Sequence, residues 1–195
     1  MDRRFFIVGA AGLLAAAATD AAAQRRPSNY DQTVPGNDPV ARFFGFSSSP
    51  IGRTTVSYPG NQRPGTVVVN TRERRLYLVL GNGQALRYGI GVGRDGFAWS
   101  GATRVSAKRE WPDWTPPEQM LQRRPDLPRH MPGGPDNPLG ARALYLGSSL
   151  YRIHGSNEPE TIGQAVSSGC FRLTNEDVID LYNRVQVGAT VIVQQ

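Results

Sequence analysis

The sequence predicts a mainly β domain with one helix near its C-terminal end and a long proline-rich loop. Three observations predict this class: short runs rich in Val, Ile, Leu, Thr and Tyr recur between turn residues, 22 glycines and 15 prolines punctuate the chain, and only one stretch has a clear helical pattern. Glycine and proline at this density disfavour helix bundles and coiled coils. With 195 residues, the chain is long enough to bury one core without disulfide or metal support.

The strand-like runs follow one another from residue 65. The first two, residues 66–70 and 75–80, are separated by a polar turn, and the second ends at Gly81-Asn82-Gly83, which is a strong hairpin signal. Glycines in the next run predict bends or a close approach of two backbone segments. The remaining runs predict strands over residues 85–93, 103–109, 143–146, 151–154 and 189–193.

One loop and one helix complete the predicted domain. Residues 111–138 are proline-rich, so they cannot form a central strand or a long helix, and we expect a surface loop with at most a turn at residues 118–123. Loops of this length are commonly functional, and this loop is expected to wall a substrate cleft. The helix is predicted over residues 175–185, with Asn175 as its cap and acidic residues in its first turn.

The first 23 residues have the three parts of an export signal. Arg3 and Arg4 form the charged start, an apolar stretch covers residues 5–18, and alanines that suit a signal-peptidase site precede Gln24. The arginine pair also resembles a twin-arginine signal, so both export routes stay open. The alternative is an N-terminal membrane anchor, for which the apolar stretch is shorter than the roughly 20 residues that a spanning helix needs. The sequence therefore predicts a periplasmic product with no transmembrane segment in its mature chain.

A linker is expected between this signal and the main domain. Residues 24–64 are rich in Pro, Ser, Asn, Gly and Arg, which is typical of a flexible linker. An aromatic clump at residues 42–46 interrupts this composition and either docks on the main domain or belongs to a partly ordered tail. The main domain is accordingly predicted over residues 65–195.

The chain is basic, with 22 Lys and Arg against 16 Asp and Glu and a formal net charge of +6. Removal of residues 1–23 would take away two arginines and two aspartates, so the mature charge would be the same. A basic surface suits an anionic polymer. The arginines are scattered and no nucleic-acid-binding motif is present, so nucleic acid is not expected as a partner.

The chemistry-bearing residues concentrate near the C-terminal end. The single cysteine, Cys170, excludes an internal disulfide, and one cysteine with two histidines leaves too few ligands for a structural zinc site. Because a thiol becomes a useful nucleophile as a thiolate, the upstream His154 is a candidate to take its proton. Gly169 would allow a sharp turn that exposes the sulfur and aims backbone N–H groups at an oxyanion. The alternative is a buried, inert cysteine beside a satisfied histidine.

Residues 154–173 resemble the L,D-transpeptidases with a YkuD-type catalytic domain, of the ErfK/YbiS kind. The family motif reads roughly His-Gly-Thr-Asn-x-Pro-x-x-Ile-Gly and then Ser-His-Gly-Cys-Ile-Arg, and this chain has His-Gly-Ser-Asn, Ile-Gly and Ser-Ser-Gly-Cys-Phe-Arg in the same order. The resemblance covers about 130 residues and implies a β-sandwich or a partly closed barrel. Further matching segments occur at residues 66–77, 91–94, 111–117 and 137–140.

The resemblance also implies roles for individual residues. Cys170 is then the nucleophile and His154 the general base, while the carbonyl of Gly155 fixes the imidazole tautomer. Backbone N–H groups of Gly169 and Cys170 would form the oxyanion hole. No metal or organic cofactor is required, because a thiolate, a base and an oxyanion hole suffice.

Three more residues are expected to meet the substrate. Arg172 is a candidate to bind a substrate carboxylate or to hold the loop, and Ser167 and Ser168 are placed on the substrate side. The family usually has histidine where this chain has Ser168, which can still donate and accept a hydrogen bond. This departure bears on rate and acceptor choice more than on the chemistry itself.

The reaction that the resemblance implies is acyl transfer at peptidoglycan peptide stems. The cysteine attacks the carbonyl of the third stem residue, expels D-alanine and leaves a thioester that an amine resolves. When the acceptor is a second stem, the product is a 3→3 cross-link. When it is a protein, such as an outer-membrane protein, that protein becomes attached to the wall. When it is water, the enzyme is an L,D-carboxypeptidase. Outside the enzymes, the alternative is a catalytically silent peptidoglycan-binding module. A peptide-hydrolysing cysteine enzyme of unrelated fold is disfavoured by the ordered motifs.

Overall fold

The computed structural model describes residues 49–195. The predicted export signal at residues 1–23, the first part of the predicted linker and the aromatic clump at residues 42–46 lie outside the described residues. No helix among residues 49–195 is long and apolar enough to cross a membrane.

The described residues form a mainly β domain, as predicted from the sequence. The helices are α1 (Glu118–Arg123) and α2 (Asn175–Arg184), and a short 3-10 turn covers Pro159–Thr161. The strands are β1 (Thr54–Ser57), β2 (Val67–Asn70), β3 (Arg75–Gly81), β4 (Gln84–Gly89), β5 (Val92–Gly93), β6 (Gly101–Glu110), β7 (Arg142–Leu146), β8 (Arg152–His154), β9 (Ala165–Ser167), β10 (Phe171–Arg172) and β11 (Thr190–Gln194).

Within this part of the chain, nine strands form one open sheet and β5 pairs separately with β9. The order in the large sheet is β1, β4, β3, β2, β11, β6, β7, β8 and β10. The pairs β2–β11 and β8–β10 are parallel, and the other neighbours are antiparallel. The last strand therefore lies between strands from the two halves of the domain, and the sheet does not close on itself.

The burial of individual strands follows from their place in the sheet. All three valines of β2 are buried, because this central strand is covered on both faces. On β3, buried Leu76 and Leu78 flank the half-buried Tyr77, which is the alternation expected of a strand with one face on the core. The β3–β4 hairpin turns at Asn82 and Gly83, whose φ angles of 51° and 69° match the twist that a two-residue hairpin requires.

The helix α2 closes the core on one side of the sheet. Val178 and Leu181 are fully buried at helical spacing, and the helix packs on β7. The predicted cap was wrong by one residue: Thr174 is the N-cap, and its Oγ1 accepts a hydrogen bond from the N–H of Asp177 at 3.3 Å. Asn175 is instead buried at the first helical position, where its Oδ1 accepts from the N–H of Ala141 at 2.8 Å.

Within residues 49–195, regular structure is present before the predicted domain boundary at residue 65. Strand β1 lies within the predicted linker and pairs with β4 along its whole length, so residues 54–57 belong to the sheet. Just before β1, Nη1 of Arg53 lies 3.3 Å from Oδ1 of Asp177 on α2. The composition of this segment hid the strand, because an edge strand needs little hydrophobic sequence when a neighbour supplies its hydrogen bonds.

The proline-rich stretch forms the long surface loop that the sequence predicts, interrupted only by α1. Its two ends are joined by Asn137, whose Nδ2 donates to the carbonyls of Pro112 at 3.1 Å and Pro132 at 2.9 Å. The N–H of Trp111 also donates to the carbonyl of Ala141 at 2.8 Å. The loop is thus anchored at its base to the start of β7.

Candidate active site

The parallel pairing of β8 and β10 brings the cysteine and the histidine to one face of the sheet. Phe171 lies opposite Ile153, and Arg172 lies opposite His154. Cys170 directly precedes β10, and continuing this register by one residue would place it opposite Arg152. Because side chains alternate along a strand, Phe171 and Ile153 enter the core, whereas Cys170 and His154 share the other face as diagonal neighbours.

A tight turn supported by Ser167 presents the cysteine. Gly169 has a φ of 107°, in the region that only glycine adopts readily, and a Cβ there would lie 2.6 Å from Cε1 of Tyr151. The hydroxyl of Ser167 accepts from the N–H of Gly169 at 3.2 Å and donates to the carbonyl of Cys170 at 2.7 Å. Gly93 of β5 also approaches closely, since a Cβ on it would be 3.0 Å from Cα of Gly169. This is the close backbone approach that its sequence predicts.

These contacts correct two expectations about the turn. Ser167 is buried and its hydroxyl braces the turn, so it is not placed as a substrate-binding residue. The N–H of Gly169 is directed to Ser167 rather than toward a substrate oxygen. A backbone amide that is already donating is a poor oxyanion donor, so Cys170 is left as the candidate from the original pair. Ser168 is half-buried beside the turn.

The imidazole of His154 is buried and oriented by the main chain. Its Nδ1 lies 2.6 Å from the carbonyl oxygen of Gly155. A carbonyl can only accept, so the proton of a neutral ring belongs on Nδ1 and the lone pair on Nε2. Burial lowers the pKa of His154 to about 3; the Gly155 carbonyl opposes this shift, and the charges of Arg172 and Arg152 add to it. The ring is therefore neutral at physiological pH, with Nε2 in its acceptor form.

Asn175 supports the backbone beside this histidine. A Cβ on Gly155 would lie 2.3 Å from Oδ1 of Asn175, and a Cβ on Gly140 would lie 2.2 Å from the same atom. Both positions are therefore glycine so that the carboxamide can reach the N–H of Ala141. This packing ties the start of α2 to the peptide that orients His154.

The thiol of Cys170 is half-buried and in contact with the segment between β7 and β8. Its Sγ lies 3.8 Å from the carbonyl oxygen of Leu150. Burial raises the pKa of Cys170, while hydrogen bonding from the backbone and side chain of Arg152 and the charges of Arg152 and Arg172 act in the opposite direction. A thiol beside a neutral imidazole is consequently the favoured resting state at neutral pH, with proton transfer accompanying attack.

Arg172 lies on the same face, opposite His154. Its Nη1 is 3.3 Å from Oε2 of Glu158, a contact that holds the segment between β8 and β9. Among the described residues, its buried Nε and Nη2 have no hydrogen-bond partner. The structure thus supports the loop-holding part of the expectation for Arg172 and leaves two donors for an added acceptor.

Aromatic residues and the proline-rich loop surround the turn. Trp99 stacks on Tyr151 with ring centroids 4.9 Å apart. The carbonyl of Phe97 is 3.1 Å from where a Cβ of Gly169 would lie, and the guanidinium groups of Arg94 and Arg123 lie 4.9 and 5.3 Å from the Phe97 ring centroid. Since Arg123 belongs to α1, the proline-rich loop reaches the neighbourhood of the nucleophile.

Arg152, Phe97 and Tyr151 also lie near the cysteine turn and were not predicted as site residues. Arg152 had a readable signal: it precedes His154 by two residues on a predicted strand, which places both side chains on one face. Phe97 and Tyr151 had none, because loop packing brings them to the turn. Within residues 49–195, no group of three or more His, Cys, Asp or Glu side chains is arranged to hold a metal ion.

Comparisons with known proteins find one family throughout this region. The YkuD family, described as the L,D-transpeptidase catalytic domain, matches residues 64–193. The chain is 40% identical over 142 residues to the probable L,D-transpeptidase ErfK/SrfK of Escherichia coli strain K12, across 68% of this chain and 44% of that protein. It is 33% identical over 141 residues to the putative L,D-transpeptidase YqjB of Bacillus subtilis strain 168, across 68% of this chain and 74% of that protein. The chain therefore spans less than half the length of ErfK/SrfK.

Solved structures with the same fold include an L,D-transpeptidase from Mycobacterium smegmatis. It has a TM-score of 0.54 and 17% identity, over 67% of this chain and 58% of that one. A Brucella melitensis structure titled a probable carnitine operon oxidoreductase is 44% identical with a TM-score of 0.51, over 75% of this chain and 96% of that one. That title names a different activity from the family and the curated relatives.

Proposed function

Because the chain belongs to the family of YkuD-type L,D-transpeptidase catalytic domains, we propose that it is an L,D-transpeptidase acting on peptidoglycan stem peptides through a thioester on Cys170. The observation that carries the proposal is the parallel pairing of β10, which directly follows Cys170 and its glycine turn, with β8, which ends at a buried neutral His154 whose Nδ1 contacts the Gly155 carbonyl. A nucleophile, a base and a group that orients the base are the parts that acyl transfer through a covalent intermediate needs.

Acylation is proposed to begin with attack of Sγ on the carbonyl carbon of the third stem residue. The proton of the thiol passes to Nε2 of His154, and the N–H of Cys170 is the proposed donor to the developing oxyanion. When the tetrahedral intermediate collapses, the bond to D-alanine breaks and His154 returns the proton to the leaving amine. The products of this half-reaction are the thioester and free D-alanine.

Deacylation runs the same proton transfers with a second nucleophile. An amine from another stem attacks the thioester, His154 takes a proton from it, and Cys170 leaves as a thiol with the new amide in place. This gives a 3→3 cross-link. With a protein amine as acceptor, the same step attaches that protein to the wall, and with water it makes the enzyme an L,D-carboxypeptidase.

Arg172 and Ser168 are proposed to face the substrate. The two donors of Arg172 without a partner among the described residues suit a carboxylate of the stem, while its third donor keeps Glu158 in place. Ser168 stands where the family usually has histidine, beside the nucleophile and not at the base position. We propose that serine at this position, in place of histidine, tunes the choice of acceptor.

The place of action is proposed to be the periplasm. The sequence signal for export at residues 1–23 and the substrate class of the family support it. A formal charge of +6 suits an anionic wall polymer. We also propose that an outer-membrane protein can serve as the acyl acceptor.

The test is intact-mass spectrometry of the purified protein with a tetrapeptide stem, with and without an amine acceptor. We expect a mass increase equal to the tripeptide acyl group, release of D-alanine and a joined product when the amine is present. The Cys170→Ala variant is the control and should form neither. Tripeptide without a joined product would assign the carboxypeptidase, and absence of both adduct and turnover in folded wild-type protein would overturn the proposal in favour of a silent module.

A further inference from the structure

Arg152 lies near the proposed nucleophile, Cys170, although it is outside the motif that predicts Cys170 and His154. It lies on β8 two residues before His154, so the two side chains share one face of the strand. Its Nη1 donates to the carbonyl of Leu150 at 3.0 Å, and the sulfur of Cys170 lies 3.8 Å from that same oxygen. One carbonyl thus holds the guanidinium and the thiol side by side.

The guanidinium has no acidic partner among the described residues. Its carbon lies 5.0 Å from the ring centroid of Tyr145, which holds the side chain down without neutralising it. Its Nε is buried and makes no hydrogen bond within the described part of the chain. A buried N–H donor without an acceptor is costly, and a new anion nearby would relieve that cost.

We propose that the guanidinium of Arg152 stabilises the thiolate of Cys170 and thereby sets the nucleophilicity of the active site. When the thiol gives its proton to Nε2 of His154 or to water, the sulfur loses its interaction with the Leu150 carbonyl, and its hydrogen bonding with Arg152 becomes stronger because both groups are then charged. The inference rests on the proposed role of Cys170 as nucleophile and adds a specific residue to it.

The other charged groups facing the sulfur do not duplicate this role. Arg172 on β10 is paired with Glu158, so its charge is partly offset. His154 is buried and neutral, and Tyr151 packs on the turn through its ring. Hydrogen bonding and charge from Arg152 both lower the pKa of Cys170, against the effect of burial.

The test measures the rate of Cys170 alkylation by iodoacetamide between pH 6 and 10, followed by intact mass. Cys170 is the only cysteine of the chain, so every adduct reports on it. The variants are Arg152→Gln, which removes the charge, Arg152→Lys, which keeps it, and Arg104→Gln as the matched control. Arg104 on β6 likewise donates from Nη1 to a backbone carbonyl, that of Gly188 at 2.9 Å.

We expect the alkylation midpoint of Arg152→Gln to rise by about one pH unit and its rate at pH 7 to fall roughly tenfold. Arg152→Lys and Arg104→Gln should stay close to wild type. A midpoint in folded Arg152→Gln within about 0.3 units of wild type would overturn the inference, as would a shift in Arg152→Lys as large as that in Arg152→Gln. The readout needs no peptide substrate, so it stands or falls separately from acyl transfer.

Discussion

The buried neutral histidine predicts how acid destabilises the protein. The pKa of His154 is about 3 in the folded state against an ordinary value of 6.5, so the unfolded chain takes up a proton that the folded chain refuses. Stability is therefore lost as the pH falls below 6.5, and the loss continues until the folded pKa is reached. At pH 5, the protonated form of an unfolded histidine exceeds the neutral form roughly thirtyfold. Relative to pH 7, this protonation lowers the free energy of unfolding by about 2 kcal/mol.

The perturbation is His154→Gln, since glutamine keeps an amide that can donate to the Gly155 carbonyl and does not titrate. Another buried group acts in the opposite direction: burial raises the pKa of Asp177 to about 6, and its protonation as the pH falls stabilises the folded state. Wild type and variant share Asp177, so its effect cancels in the comparison. The advantage of wild type over the variant should shrink by about 2 kcal/mol between pH 7 and pH 5, whatever its value at pH 7.

The assay is urea unfolding followed by tryptophan fluorescence at pH 7, 6 and 5. Trp99 packs on Tyr151 beside the core and reports on the loss of tertiary structure. His130→Gln is the matched control, because it makes the same substitution at a histidine that is exposed in the proline-rich loop. The reasoning is refuted if His154→Gln and wild type run parallel to within about 0.5 kcal/mol over this range, because the folded imidazole would then titrate normally.

Three further substitutions test other parts of the structure. Gly169→Ala should lower the free energy of unfolding by about 1–3 kcal/mol and reduce thioester formation at least tenfold, because φ is 107° and the new Cβ would meet Tyr151. Gly96 has a φ of 82° and open space around it, so Gly96→Ala should lower stability through backbone strain without loss of acylation. Asn137→Ala removes the donor to Pro112 and Pro132 and should speed tryptic cleavage within residues 111–138 and slow turnover of the donor stem; unchanged cleavage and turnover would contradict the anchoring role. Thr174→Ala should lower the free energy of unfolding by about 1 kcal/mol through loss of the α2 cap, and Thr174→Ser should restore most of it.

Much of the fold could be predicted because its signals are local. The β3–β4 hairpin follows from Asn82 and Gly83, whose positive φ angles the turn requires. The helix α2 follows from its acidic first turn and apolar spacing, although its cap is Thr174 and not Asn175. Strand β1 could not be predicted, since its segment becomes a strand only through pairing with β4.

The candidate site, like the fold, could be predicted from the sequence only in part. The sequence motif predicts Cys170 and His154 as partners and Gly155 beside the imidazole, and the register of β8 and β10 brings the first two to one face. The motif could not predict that the N–H of Gly169 donates a hydrogen bond to the hydroxyl of Ser167, because that contact depends on how the turn is folded.

The sequence alone predicts the local features: most of the strands, the turns that need glycine, the one well-formed helix and the type of chemistry available to a lone cysteine with an upstream histidine. The folded chain is needed to show that Arg152 and Cys170 contact the same carbonyl and that Asn175 supports the peptide next to His154. Both arrangements depend on pairing between segments far apart in the chain. Strand register and helix docking minimise the energy of the whole core, and no short window of residues contains that information.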